Sequence, residues 1–119
     1  MSDMQTYSGG CHCGRVRYQV TTTLDPVIDC DCSICRKRGV LWTYVKPAQF
    51  KLQSGQDELS DYQFNKKAIH HLFCRNCGVS SFATGRGEDG SEGIGINVRC
   101  VDDVAIEALA LTPFDGKNL

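Results

Sequence analysis

Cys30-Asp31-Cys32-Ser33-Ile34-Cys35 places three thiols within six residues of one another. Two distant pairs flank this stretch, Cys11-His12-Cys13 and Cys74-Arg75-Asn76-Cys77. These clusters hold seven of the eight cysteines in a chain of 119 residues. An even count invites a disulfide reading, but C-x-C and C-x-x-C are chelate spacings. The amino terminus, Met1 to Thr6, has neither a cationic region nor an apolar run, so it does not read as a secretory signal. No stretch approaches the roughly 20 apolar residues of a membrane helix. A cytoplasmic location is therefore expected, where thiols stay reduced and metal is favoured over disulfide.

The stretches between the clusters read as short strands and turns. Residues 1–6 are expected to be a loose tail, the whole chain forming one domain over 1–119. Cys11 and Cys13, read as an extended segment between Gly9-Gly10 and Gly14, would turn both sulfurs to one side. Arg15 to Val20 alternates polar and apolar, marking a strand with Val16, Tyr18 and Val20 inward. A turn over Thr21–Pro26 leads to a short strand, Val27–Asp29, which runs into the triplet. Ser33 is placed to cap a short helix ending at Gly39.

Val40–Val45 is strand-like. Pro47–Phe50 reads as a turn, and Phe50–Leu52 as a short strand. Leu59–Phe64 and Ala68–Phe73 read as a hairpin turning at Asn65-Lys66-Lys67. Cys74 to Gly78 has the form of a zinc knuckle. Val79–Ala83 and Ile94–Val101 are expected strands around a polar, glycine-rich tip at residues 85–93, which lacks any phosphate-binding pattern. A helical turn is expected within Asp102–Leu109 and a turn at Phe114–Gly116. The sum is mostly β with little helix.

Zinc in structural sites takes four ligands, commonly from two chelating pairs. Cys11, Cys13, Cys74 and Cys77 make such a set and would staple a small core. Other pairings, such as Cys11/Cys13 with Cys30/Cys32, stay open on spacing alone. Cys30, Cys32 and Cys35 supply three ligands, the pattern of a catalytic zinc with one open position. A closed site would draw its fourth ligand from His12, His70, His71, Cys100, Asp29 or Asp31. A metal-free redox pair at Cys32/Cys35 is the other alternative. Three ligands hold metal less tightly than four, so the second zinc is expected to be the labile one. Cys100 is expected to pack on the strand face of Ile96 and Val98. Arg36-Lys37-Arg38 is either a solvated helix end or a lure for an anionic substrate. The net charge of −1 argues weakly against non-specific binding to nucleic acid.

Four segments together resemble the GFA family, the glutathione-dependent formaldehyde-activating enzymes, whose domain also occurs in centromere protein V. They are Gly9-Gly10-Cys11-His12-Cys13-Gly14-Arg15-Val16-Arg17-Tyr18, Asp29 to Lys37, Phe73-Cys74-Arg75-Asn76-Cys77-Gly78 and Asn97-Val98-Arg99-Cys100. The resemblance spans residues 7–116. It implies an Mss4-like complex fold of short antiparallel strands stapled by zinc. It also implies two Zn2+ per chain, a structural one on Cys11, Cys13, Cys74 and Cys77 and a second on Cys30, Cys32 and Cys35. The implied activity is that of a carbon–sulfur lyase, the reversible addition of a small thiol such as glutathione to formaldehyde or another small aldehyde. Two other functions fit the residues less well. One is a zinc-stabilised binding module. The other is a thiol redox enzyme related to methionine sulfoxide reductase B, with an exposed, acidic Cys100 as nucleophile. Oligomeric state has no signal in the sequence.

Overall fold

The alternation at Val16, Tyr18 and Val20 becomes three fully buried side chains, the last two of them in a strand that starts one residue after Val16. It is seen in a computed structural model that describes residues 4–30, 32–63, 69–86 and 91–114. This strand, β2 (Arg17–Thr22), lies between β1 (Gln5–Gly10) and β5 (Phe50–Ser54) in a three-stranded sheet. Gln5 and Thr6, read from the sequence as tail, are strand residues opposite Thr22 and Thr21. The polar Gln-Thr start carries no apolar signal, and only its partner strand makes it a strand.

The remaining strands are β3 (Val27–Cys30), β4 (Trp42–Val45), β6 (Leu59–Tyr62), β7 (Ile69–Cys74), β8 (Phe82–Arg86), β9 (Glu92–Asn97) and β10 (Leu111–Phe114). They form a seven-stranded sheet in the order β10-β3-β4-β9-β8-β7-β6. Every pair is antiparallel except β10 with β3, which is parallel and departs from the all-antiparallel expectation. The expected hairpin is present as β6–β7. Its turn at Asn65–Lys67 lies outside the described residues, as do residues 87–90 of the glycine-rich tip and Asp115-Gly116. Strands β8 and β9 extend into that tip as far as the Arg86–Glu92 pair.

The small sheet packs on one face of the large one. Tyr18, Phe50 and Phe82 meet there with ring centroids 4.8–6.1 Å apart, joined by Val20, Val45, Ile94 and Ile96. Phe82 and Ala83 are consecutive in β8, so they point to opposite faces. Ala83 belongs to a separate cluster with Cys30, Cys35, Val40 and Trp42. That cluster carries the one α-helix among the described residues, α1 (Ser33–Arg38).

Two expectations fail locally. Ser33 does not cap α1. Cys32 does, its sulfur accepting the amide N–H of Cys35 at 3.5 Å. A thiolate so placed takes the capping role of a serine hydroxyl. Gly39 ends the helix as expected, at φ 70°. The strand predicted to run through Val101 stops at Asn97, and Val98–Cys100 is a 3-10 turn capped by the Asn97 side chain. The strand face expected to carry Ile96, Val98 and Cys100 therefore ends at Ile96. The turns expected near Pro47 and within Asp102–Leu109 are both 3-10 turns, Pro47–Gln49 and Ile106–Ala108.

Candidate metal centres

The first thiol cluster is built from two loops of one design. The Cys11 amide donates to the Val16 carbonyl at 3.1 Å, and the Cys74 amide to the Val79 carbonyl at 3.0 Å. Each loop thus closes from a buried cysteine to a valine five residues on. Each also passes through a glycine at positive φ, Gly14 at 83° and Gly78 at 80°, directly after the second cysteine. Cys11 and Cys13 are in a turn, not the extended segment expected from their spacing. The turn is held by the Val16 amide, which donates to Cys11 Sγ at 3.3 Å.

The two loops bring four sulfurs together, all within 4.8 Å of one another. Cys13 Sγ is 3.6 Å from Cys11 Sγ and 3.7 Å from Cys74 Sγ. Tetrahedral zinc with bonds near 2.3 Å needs sulfurs about 3.8 Å apart, so the quartet fits a metal as it stands. The alternative pairing of Cys11/Cys13 with Cys30/Cys32 is not the one the fold makes. Burial pushes the Cys77 thiol up, but N–H donors from Val79 and Cys13 outweigh it and bring it down to about 6.

Cys30, Cys32 and Cys35 form a second group on the opposite face of the large sheet, again within 4.8 Å of one another. No described His, Cys, Asp or Glu joins them. His12, His70, His71, Cys100 and Asp29, the candidates for a fourth ligand, thus stand outside this group, and Asp31 lies outside the described residues. Each sulfur receives at least one N–H. The Cys32 amide donates to Cys30 at 3.5 Å, the Cys35 amide to Cys32 at 3.5 Å, and Trp42 Nε1 to Cys35 at 3.1 Å. Burial raises Cys35 to about 12, with the indole N–H acting in the opposite sense.

The surroundings of the triplet come from the sheet. Strand register sets Tyr44, Gly95, Ala83 and His71 side by side across β4, β9, β8 and β7, all on the face of α1. A Cβ at Gly95 would meet the Trp42 ring at 3.1 Å and the Tyr44 ring at 3.3 Å, so both rings lie down over the glycine. Arg38, at the end of α1, sits 5.4 Å from the Phe73 ring centroid and donates to Ser80 Oγ at 3.3 Å. His71 is held below its usual value by burial and then by Arg38. His70 instead pairs with Asp61 at 2.6 Å. Cys100 contacts the Ser80 carbonyl at 3.8 Å, and burial pushes its thiol up to about 11. That is the reverse of the acidic, exposed nucleophile that a redox enzyme would need.

Comparison with known proteins agrees with this architecture. The profile of the glutathione-dependent formaldehyde-activating enzyme family matches residues 6–113. The chain belongs to that family. The crystal structure of a Rhodobacter sphaeroides protein is also similar, with a TM-score of 0.78 and 30% identity. The match covers 89% of this chain and 97% of that one. Membership carries, at family level, glutathione-dependent activation of formaldehyde. The two cysteine groups of this GFA chain are compatible with metal binding.

Trp42 is the site residue that reading the sequence missed. In the chain it looks like any strand aromatic, and its one distinguishing feature is its place seven residues after Cys35. Among the described residues no helix is long and apolar enough to cross a membrane.

Proposed function

We propose that the chain is a zinc-dependent carbon–sulfur lyase that adds a small thiol, glutathione or one like it, reversibly to formaldehyde or another small aldehyde. The observation that carries this reading is the triplet. Three convergent thiols without a described fourth ligand leave a coordination position for substrate. We assign a structural zinc to Cys11, Cys13, Cys74 and Cys77, and a second zinc to Cys30, Cys32 and Cys35. We further place the activity in the cytoplasm, where glutathione and reduced thiols are at hand.

Zinc held by the three thiolates would supply an acidic position at which a thiol would give up its proton to solvent at neutral pH. The residues of the chain do the rest. Cys30, Cys32 and Cys35 fix the position, and α1 carries Arg36, Lys37 and Arg38 in its last turn beside it. That basic group raises the local concentration of an anionic thiol. In the reaction the substrate sulfur bonds to the aldehyde carbon, the carbonyl π pair moves to oxygen, and that oxygen takes a proton from water. The product is a hydroxymethyl sulfide. Its breakdown returns thiol and aldehyde, and holding the two together is the main source of rate.

The test is Cys32→Ser. Exchange between glutathione, formaldehyde and S-(hydroxymethyl)glutathione, followed by NMR, should slow to the uncatalysed rate while one zinc and the fold remain. Unchanged exchange would end the lyase reading. With cobalt in place of zinc, added glutathione should alter the spectrum of the triplet. A spectrum indifferent to glutathione would favour a binding module with two closed sites.

A further inference from the structure

An electrophilic aldehyde in a site lined by thiolates raises a problem of selectivity. The three cysteines of the triplet are themselves sulfur nucleophiles and lie as close to the open position as any substrate. The geometry answers this with a complete set of donors. Cys30, Cys32 and Cys35 each receive an N–H, the first two from backbone amides and the third from an indole. The indole contact is the shortest of the three, at 3.1 Å. It is also the only one made by a side chain, so it is the one whose position the tertiary fold must arrange. Gly95 leaves room for it, because a Cβ there would come within 3.1 Å of the ring of Trp42.

We propose that Trp42 and the two amides shield the site's own sulfurs from alkylation, leaving the incoming thiol as the most reactive sulfur present. The inference rests on the metal reading given above and adds to it a positioning role for Trp42, acting through Cys35. A thiolate is a strong acceptor and a thioether a weak one. When a ligand sulfur attacks an electrophile, the hydrogen bond it accepts is therefore given up as the new carbon–sulfur bond forms. That loss raises the barrier for ligand attack and not for attack by a substrate sulfur that has no such donor. A charge-assisted hydrogen bond lost on the way to the transition state corresponds to about tenfold in rate.

The probe is iodoacetamide, which the sulfur attacks at carbon with loss of iodide to leave an irreversible thioether. Zinc-loaded protein is alkylated without any substrate thiol, the rate at each cysteine is read by mass spectrometry, and bound zinc is counted before and after. Trp42→Phe should speed alkylation at Cys35 about tenfold, with Cys30 and Cys32 unchanged and zinc retained. Replacing Trp42 by benzothienylalanine, which keeps the ring shape and lacks the N–H, should do the same. An unchanged Cys35 rate in the benzothienylalanine protein would overturn the inference. Equal acceleration at all three cysteines with loss of zinc would also overturn it, since Trp42 would then only hold the site together. Neither result touches the lyase reading, which is decided separately by exchange and by glutathione binding.

Discussion

Cys13 and Cys74 stand 61 positions apart in the chain, and their sulfurs lie 3.7 Å apart in the fold. A metal joining them closes a loop that contains β2 to β7. In the chain-entropy description, a cross-link over that span stabilises by about 4 kcal/mol. Cys74→Ser, or stripping by a strong chelator, should therefore lower the melting temperature by about 15 °C in a domain of this size. Calorimetry of the zinc-loaded and stripped protein checks this. A melting temperature insensitive to metal removal would show that the quartet is not a staple.

The two groups should release metal in a fixed order as pH falls. Protons compete with metal for thiolate, so a set whose thiols bind protons more tightly gives up its metal at higher pH. In the triplet, burial raises Cys30, and Cys35 to about 12, while Cys32 alone is lowered. In the quartet Cys77 is lowered to about 6 and Cys13 is also lowered, while Cys11 is raised. Ligand count acts in the same direction, three against four. Acid titration with a chromophoric zinc indicator should show two steps, the triplet emptying first. Simultaneous release, or the quartet emptying first, would contradict this order.

Trp42 is the one tryptophan in the chain, so its fluorescence reports the triplet alone. Cys35→Ala should raise the emission by removing the sulfur in contact with the indole, while Cys13→Ala should leave it unchanged. Gly95→Ala should shift the emission as well, because the new methyl presses on the ring at 3.1 Å. Emission from Gly95→Ala identical to that of the parent protein would mean that the indole does not depend on that glycine.

Tyr18, in the core cluster that also holds Cys11 and Cys74, offers a stability test that leaves the thiols themselves untouched. Its side chain is fully buried, and its hydroxyl has no hydrogen-bond partner among the described residues. A buried hydroxyl without a partner costs about 1 kcal/mol or more. Tyr18→Phe keeps the ring contacts with Phe50 and Phe82 and removes that cost. Chemical denaturation should show the variant to be the more stable by about that amount. A loss of stability would reveal a partner for the hydroxyl.

Much of the fold was legible because burial imposes a period. Val16, Tyr18 and Val20 announce β2, and Leu59 to Phe73 announces a hairpin with a knuckle at its end. The cysteine clusters were legible because chelation limits the spacing of ligands. Thr6 and Gln5 were not legible as strand, since polar residues join a sheet edge only when a partner strand is present. Ser33 looked like a helix cap because hydroxyls usually serve, and the thiol of Cys32 took the place once the helix turned there. Cys100 left its strand because Asn97, buried and donating to the Ser80 carbonyl at 2.9 Å, also caps the following turn.

By itself the sequence determined which sulfurs can act in pairs, since residues two or three apart reach a common ion whatever the rest of the chain does. It also determined that the core is built of strands, through apolar alternation. Only the tertiary structure decided that Cys11/Cys13 meet Cys74/Cys77, and that the triplet lies on the other face of the large sheet. It alone brought the indole N–H of Trp42 to Cys35 over a glycine two strands' width from any cysteine motif. Contacts of that kind depend on sheet register and on which face each strand presents, and both are fixed only when all the strands have paired.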